Sequence, residues 1–291
     1  MPGSWLITLY HILLDCTSIY YISGDACCLP FSLGAFKHFL EKQIPNVYVL
    51  SLRIGDSIPA DMEHGYFMSP NKQVEYVCQQ LANDEKLKDG FNAIGFSQGS
   101  QFLRAALQRC GHRIPHMKNL ITLGGQHQGV YGIPNCGALE NGTCDYIRRL
   151  LNYAAYNSWL QHWLVQATYW HDPLNEATYK QKSTFLSDIN NEVHMNKTYI
   201  INLNTLEHLV MVMFEDDTVV EPKETEWFGF YAPGQAKEIL PLQKSDIYLK
   251  DRLGLMRMDK AGKLVFLSTP GNHLRFSEEW FIEKIIKPYL I

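Results

Sequence analysis

The stretch Phe91-Asn92-Ala93-Ile94-Gly95-Phe96-Ser97-Gln98-Gly99 decides the fold, because it places a serine between an apolar run and a helical segment. The apolar residues before Gly95 predict a buried strand, and residues 100–110 have the spacing of a helix. Glycines two positions to either side of Ser97 allow a tight strand-to-helix turn that exposes the serine hydroxyl. The N-terminus of the following helix favours negative charge beside that hydroxyl. Ser97 is therefore predicted to be a nucleophile.

Apolar runs alternate with helical segments on both sides of this stretch. Such alternation is typical of an α/β fold with a mostly parallel sheet flanked by helices. Strands are predicted at residues 46–52, 120–124, 209–214 and 263–267, and helices at residues 30–41 and 73–81. Residues 126–207 are instead aromatic and helical, with no predicted buried strand. We therefore expect a core of residues 17–125 and 208–291, interrupted by a helical insertion at 126–207 that binds a long apolar group.

Composition excludes several classes of protein. The chain has 291 residues, of which 46% are hydrophobic and 19% charged, with a net charge of −4. These values predict a globular protein and give no electrostatic reason to expect nucleic acid. No apolar run approaches the ~20 residues of a membrane span. Residues 1–16 are a candidate signal peptide or a divergent leader, and a buried N-terminal strand or helix is the alternative.

The cysteines favour an oxidising compartment. None of the seven lies in a CxxC pair or has histidines at zinc-finger spacing, so we expect no metal site and no cofactor. Cys136 and Cys144 bracket a turn-rich loop that contains a glycosylation sequon at Asn141, and a second sequon begins at Asn196. Cysteines that bracket a loop are typical of secreted or lumenal proteins.

A serine nucleophile needs a base and an acid that orients the base. In α/β-hydrolases the three residues follow the chain order serine, acid, histidine, each just past a strand. Asp217 follows the strand predicted at 209–214, and His273 follows the strand predicted at 263–267. The predicted triad is therefore Ser97, Asp217 and His273. Two alternatives stay open, since Asp216 could replace the acid and His127 could replace the base.

Several blocks of sequence, in the same order, resemble the lysosomal palmitoyl-protein thioesterases of type 1. The resemblance runs from about residue 24 to the carboxyl terminus. Its blocks are Gly95-Phe96-Ser97-Gln98-Gly99, Gly124-Gly125-Gln126-His127-Gln128-Gly129, Tyr169-Trp170-His171-Asp172-Pro173, Glu226-Trp227-Phe228-Gly229-Phe230-Tyr231 and Asp251-Arg252-Leu253-Gly254-Leu255.

This resemblance implies an α/β-hydrolase that removes palmitoyl groups from S-acylated cysteines of proteins or peptides in the lysosome, with secretion as a second destination. The acyl chain is expected in an apolar groove of the insertion, and the same three residues are implied as the triad. Asn196 matches a glycosylation position of the family, whereas Asn141 has no counterpart. The disulfides implied by the resemblance are Cys27–Cys28, Cys78–Cys110 and Cys136–Cys144.

The oxyanion hole is where the chain departs from this family. One donor is expected to be the backbone N–H of Gln98, the residue after the nucleophile. The second is expected, by register, to be the N–H of Ser23. Relatives carry His-Gly-Met-Gly-Asp in that loop, and this chain has Tyr-Ile-Ser-Gly-Asp at residues 21–25. Ile22 adds β-branched bulk in place of a glycine.

Three functional hypotheses follow from the sequence. The first is an active palmitoyl-protein thioesterase with a Ser-His-Asp acyl-enzyme mechanism. The second is a carboxylester lipase or acyl-CoA hydrolase that uses the same triad. The third is a catalytically impaired acyl-binding protein, because the loop at 21–25 is altered. The sequence makes no prediction of the oligomeric state.

Overall fold

A computed structural model describes residues 11–15, 33–57, 60–61, 64, 67–132 and 154–291 of the chain, with the backbone alone for 11–15 and 162–163. The predicted strands are present, each within a few residues of its expected bounds. The strands are β1 His11–Asp15, β2 Tyr48–Ser51, β3 Phe91–Phe96, β4 Met117–Leu123, β5 His208–Phe214, β6 Phe230–Tyr231, β7 Ile239–Leu240 and β8 Leu264–Thr269.

The main sheet has six strands in the order β2-β1-β3-β4-β5-β8, and every neighbouring pair is parallel. Strands β6 and β7 form a separate antiparallel pair. In the main sheet, Phe214 at the end of β5 pairs with Thr269 at the end of β8. Because these two strands end level with each other, the loops that follow them lie side by side. This arrangement confirms the predicted α/β fold with a parallel sheet.

Helices connect the strands, as a parallel sheet requires. The α-helices are α1 Leu33–Gln43, α2 Pro70–Asn83, α3 Gln98–Cys110, α4 Ser158–Trp163, α5 Glu176–Lys182, α6 Leu186–Ile189, α7 Lys197–Leu203, α8 Asp246–Leu249, α9 Leu255–Lys260 and α10 Glu278–Phe281. Helix α10 continues as a π-helix over Ile282–Leu290, and 3₁₀ turns occur at Glu85–Leu87, Val165–Tyr169, Lys223–Trp227 and Leu242–Lys244.

The helices cover both faces of the sheet and create two apolar cores. One core packs α2 and α3 against the sheet, and the other packs α1 and the C-terminal helix against the opposite face. Leu120 and Ile121 of β4 point to different cores, as the alternation of a strand requires. Burial on both faces explains why these strands are continuous apolar runs in the sequence.

Strand β1 falls within residues 1–16, the segment predicted above as a candidate leader. Its backbone pairs with β2 on one side and β3 on the other. The sheet of this structure therefore includes residues before position 17. An apolar run of this length suits a strand as well as the core of a signal peptide, which is why the sequence left both options open.

The described part of residues 126–207 is mainly helical. It contains α4 to α7, the 3₁₀ turn Val165–Tyr169 and an isolated bridge between Val130 and Trp170. Helix α7 packs against α3 of the core. The domain boundaries at 126 and 207 stay a prediction.

A disulfide joins Cys78 of α2 to Cys110 of α3, with a Cα–Cα distance of 6.0 Å. The family resemblance implies this pairing. The other two implied pairs, Cys27–Cys28 and Cys136–Cys144, lie outside the described residues. Within the described ranges, no helix combines the length and the apolar character that crossing a bilayer requires.

Candidate active site

Ser97 occupies a sharp turn between β3 and α3. Its backbone angles are φ 51° and ψ −122°, a conformation that a residue with a side chain rarely adopts. The turn needs glycine at position 95, since a Cβ there would lie 2.7 Å from the Cα of Ser100. Ser97 precedes the first residue of α3, yet its side chain makes no capping hydrogen bond. The hydroxyl is therefore available for other contacts.

Gln126 makes one of those contacts. Its side-chain Nε2 donates a hydrogen bond of 2.9 Å to the Oγ of Ser97, and both side chains are buried. Gln126 is not among the site residues predicted from the sequence. The signal that could have identified it is its position directly after Gly124-Gly125 at the end of β4.

The orientation of the Gln126 amide follows from its neighbour Gln101. The backbone N–H of Gln126 donates to Oε1 of Gln101 at 3.0 Å, and a backbone N–H can only donate. The Nε2 of Gln101 must then face Oε1 of Gln126, at 2.7 Å. This leaves the Nε2 of Gln126 to face Ser97. Ser97 Oγ accepts this hydrogen bond, so the serine proton is free to be donated elsewhere.

Gly124 connects the serine to the histidine. The backbone N–H of Ser97 donates to the carbonyl of Leu123, the residue before Gly124. The ring of His273 lies against Gly124 itself, because a Cβ there would be 2.7 Å from Cε1 of that ring. Gly124 also has φ +66°, so glycine is required for both space and conformation. The end of β4 thus brings the serine turn and the histidine loop together.

His273 is paired with Asp217 through its Nδ1, which hydrogen-bonds Oδ2 of the carboxylate. The two side chains are 4% and 0% exposed. The other oxygen of Asp217 accepts from the backbone N–H groups of Val219 and Val220, at 2.7 and 2.9 Å. Burial acts to raise the pKa of Asp217, but the hydrogen bond and charge of His273 outweigh it, and the pKa lies below its usual range. The Nε2 of His273 has no hydrogen-bond partner among the described residues.

The two alternatives left open by the sequence occupy other places. Asp216 accepts from the backbone N–H of Gly271 and so braces the loop that carries His273. His127 is fully buried, and its Nε2 lies 3.1 Å from the hydroxyl of Thr122. Burial, together with the charge of Arg104, holds the pKa of His127 well below its ordinary value. The pair that lies against Gly124 is therefore His273 with Asp217.

The profile of a protein family described as Palmitoyl protein thioesterase matches residues 19–273. The chain belongs to this family. Palmitoyl-protein thioesterase 1 of Caenorhabditis elegans is 47% identical over 268 residues, covering 92% of this chain and 89% of that protein. Palmitoyl-protein thioesterase 3 of Dictyostelium discoideum is 35% identical and covers 89% of this chain and 84% of its own length. A Drosophila melanogaster relative named Lysosomal thioesterase PPT2 homolog is 28% identical, covering 79% of this chain and 80% of that protein.

The chain is thus an α/β-hydrolase of the palmitoyl protein thioesterase family, and one further carboxyl group adjoins its predicted triad. Glu226 has no exposed surface, and its Oε2 accepts from the backbone N–H of Phe214 at 3.1 Å. Burial and the charge of Asp217 raise the pKa of Glu226 to about 11. The sequence analysis did not identify Glu226 as a site residue, although it opens one of the blocks that resemble the family.

The remaining predicted residues are located as follows in this thioesterase-family chain. Gln98 is the first residue of α3, and its side-chain Oε1 accepts a hydrogen bond of 2.9 Å from the hydroxyl of Tyr169. Asn196 is exposed and caps α7. Ser23 and Asn141 lie outside the described residues.

Proposed function

We propose that this hydrolase removes palmitoyl and other long-chain fatty acyl groups from S-acylated cysteines of proteins or peptides. The observation that carries the proposal is the meeting of Ser97 and the His273–Asp217 pair around Gly124. A serine in a strand-to-helix turn beside a histidine that is oriented by a buried carboxylate is the arrangement for acyl transfer. Family membership then favours thioesters as substrates.

In the acylation step, Ser97 Oγ forms a bond to the thioester carbonyl carbon while Nε2 of His273 takes the hydroxyl proton. Asp217 stabilises the imidazolium that forms. The tetrahedral intermediate collapses with cleavage of the carbon–sulfur bond, and the cysteine leaves as a thiol after taking the proton from His273. The hydrogen bond from Gln126 keeps the serine oxygen in place and stabilises negative charge on it before attack.

In the deacylation step, His273 removes a proton from a water molecule that attacks the acyl-serine ester. The proton then passes to Ser97 Oγ, and the fatty acid is released. In both steps we propose that the backbone N–H of Gln98, the residue after the nucleophile, stabilises the oxyanion. Ser23 is the proposed second donor.

We propose that the acyl chain leaves Ser97 toward the helical insertion at 126–207. Apolar side chains from the insertion, Val165 and Phe185, meet Phe102 of α3 at a small cavity that also borders Gln98. An acyl chain attached to Ser97 would lie against these apolar side chains.

The lysosome is the proposed place of action, with secretion as a second route. The exposed Asn196 supports this, because its sequon lies where a glycan would meet solvent. Replacement of Asn196 by Gln is expected to remove one glycan from protein purified from a secretory host. An unchanged mass would remove this support.

The test of the proposed function compares three substrates with one control variant. Protein made in a secretory host is assayed on a palmitoyl-cysteine peptide, a palmitoyl oxygen ester and palmitoyl-CoA, beside Ser97→Ala. We expect thioester-peptide turnover that disappears in Ser97→Ala. Turnover of the ester or of palmitoyl-CoA alone would instead support a lipase or acyl-CoA hydrolase.

Palmitate binding without turnover would support the impaired acyl-binding hypothesis. Ile22→Gly then separates a defect of the loop at 21–25 from a different function. If the altered loop limits the reaction, the glycine variant gains activity, since loss of one oxyanion donor costs about a hundred- to a thousandfold in turnover.

A further inference from the structure

The 3₁₀ turn Lys223–Trp227 places Glu226 next to the Asp217–His273 pair and is fixed from several sides. The indole Nε1 of Trp227 donates to the carbonyls of Met211 in β5 and Leu267 in β8, at 3.0 and 3.1 Å. Thr225 is buried, and its hydroxyl accepts the backbone N–H of Gln128 at 2.8 Å. The turn is therefore anchored both to the two strands that carry the triad loops and to the loop after β4.

Glu226 is the residue of this turn that lies next to Asp217 and His273. Its carboxyl lies beside that of Asp217, and one ligand atom from each of Glu226, Asp217 and His273 lies within 4.8 Å of the other two. Oε2 of Glu226 already accepts from the N–H of Phe214. Oε1 receives no hydrogen bond from any donor in the described part of the chain.

An acceptor oxygen without a donor, facing a carboxylate away from water, indicates that it carries the proton itself. Two ionised carboxylates in contact would repel strongly at this depth, and one of them would then hold a proton. Asp217 is the ionised member, because His273 and two backbone N–H groups stabilise its charge. Glu226 faces Asp217 and His273, and Glu224 adds only further negative charge.

We infer that Glu226 is a positioning residue of the triad: its neutral carboxyl donates a hydrogen bond to Asp217 and holds that carboxylate in line with Nδ1 of His273. The inference rests on the proposed roles of Asp217 and His273. Glu226 touches neither Ser97 nor the substrate in this account. It acts through Asp217, whose two oxygens are then fully occupied by His273, backbone N–H groups and Glu226.

The test uses Glu226→Gln and Glu226→Leu, with Glu224→Gln as the control. A glutamine can reproduce both contacts, since its carbonyl accepts from Phe214 and its amide donates to Asp217. Leucine keeps a similar size but loses both the donor to Asp217 and the acceptor for the N–H of Phe214. We expect Glu226→Gln and Glu224→Gln to stay within about twofold of wild type, and Glu226→Leu to lose about ten- to a hundredfold in kcat with KM little changed.

A second readout separates a neutral from an ionised Glu226. The titration midpoint of the His273 imidazole is measured by NMR in the Ser97→Ala background, where no turnover is needed. A neutral Glu226 leaves this midpoint unchanged in Glu226→Gln. An ionised Glu226 would stabilise the imidazolium, so its replacement by glutamine would move the midpoint to lower pH and overturn the inference.

The remaining outcomes are equally decisive. Wild-type kcat in Glu226→Leu, or an equal loss in the glutamine and leucine variants, would overturn the positioning role. If the leucine variant does not fold, the titration midpoint of His273 in Glu226→Gln still shows whether Glu226 is neutral or ionised. If wild-type protein shows no thioesterase turnover while that midpoint stays unchanged, the proposed function and the catalytic role of Glu226 fail, and only the neutral state of its carboxyl stands.

Discussion

The described part of the chain contains two buried histidine–carboxylate pairs, for which we propose different roles. His273 pairs with Asp217 at the serine turn, and His171 pairs with Glu176 at 2.8 Å in the helical region. Each histidine side chain is only 4% exposed. By burial and ion pairing alone, the two histidines could not be told apart.

The second ring nitrogen distinguishes them. Nδ1 of His171 bonds the carbonyl of Gln128 at 2.7 Å, and the ring is stacked between Tyr179 and Phe230 at 3.7 and 4.2 Å. Nε2 of His273 has no partner among the described residues. A histidine with both nitrogens occupied and both faces covered holds a fold together, whereas one with a free nitrogen can move a proton. Between these two histidines, the contact of the second ring nitrogen favours His273 as the proposed base, and the ion pair alone does not.

The largest effect is expected from breaking the catalytic pair. His273→Ala should lower kcat/KM by about a thousand- to ten-thousandfold, because the proposed base is lost. The fold should persist, since Ser97 and Gln126 keep their contacts. Steady-state kinetics and thermal unfolding on the same preparation check both parts. Activity above a tenth of wild type would mean that another group is the base.

Breaking the other pair should damage stability instead. His171→Ala removes two hydrogen bonds and a stacked ring from a buried site, which costs roughly 2–4 kcal/mol in the free energy of unfolding. The folded fraction should keep kcat within a few-fold. Urea unfolding measures the loss, with His112→Ala, at an exposed position, as the control. A selective loss of kcat at full stability would contradict the structural role of His171.

Substitution of Gln126 tests its hydrogen bond to Ser97. Gln126→Leu keeps the size of the side chain but removes the donor to Ser97 Oγ, so we expect kcat to fall by about ten- to a hundredfold. Gln101→Leu should have a smaller effect in the same direction, because Gln126 keeps its donor and loses only its orientation. Single-turnover acylation rates are the measurement. Equal rates in Gln126→Leu and wild type would exclude a role for this contact.

The last prediction concerns the change in stability per pH unit. Burial raises the pKa of Glu226 to about 11 from 4.5, so between these values the unfolded chain releases a proton that the folded chain keeps. Stability therefore falls as pH rises through this window, by at most about 1.4 kcal/mol per pH unit. Burial also raises the pKa of Glu192. Its titration therefore also makes stability fall as pH rises.

The ion-paired carboxyls act in the opposite direction. Burial alone would raise the pKa values of Asp217 and Glu176, but their histidine partners hold them below the ordinary range. These two carboxyls contribute to the stability of the folded state above their unfolded pKa of about 4, and this contribution disappears as pH falls below that value. The free energy of unfolding is measured with urea between about pH 6 and 8. It should fall less steeply with pH in Glu226→Gln than in wild type. An unchanged slope would mean that Glu226 is ionised in the folded protein.

The parallel sheet and the predicted triad positions were accessible from the sequence. Strands buried on both faces leave continuous apolar runs, and the chain order of Ser97, Asp217 and His273 follows from those strands. Within the region predicted only as helical, residues 158–169 form a short α-helix and a 3₁₀ turn that are separated at Leu164. The side chain of Gln161 explains the break, because its amide bonds the backbone carbonyls of Ala155 and Ala167 at 2.7 and 2.6 Å.

Gln126 and Glu226 could not be assigned from the sequence for a physical reason. The role of Gln126 depends on Gln101, which reaches it from a different element. Glu226 lies in the polar run Lys223-Glu224-Thr225-Glu226, a pattern typical of an exposed turn. Its burial becomes apparent only when Trp227 is seen to bridge β5 and β8. Contacts between distant segments carry information that local patterns do not contain.

The most direct test of the account is detection of the acyl-enzyme. Protein is mixed with a palmitoyl-cysteine peptide, quenched within one turnover, digested and analysed by mass spectrometry. We predict one palmitoyl group, in ester linkage, on the fragment that contains Ser97, formed at least as fast as steady-state turnover and absent in Ser97→Ala. Thioester turnover without acylation of Ser97, or undiminished turnover in Ser97→Ala, would contradict the account.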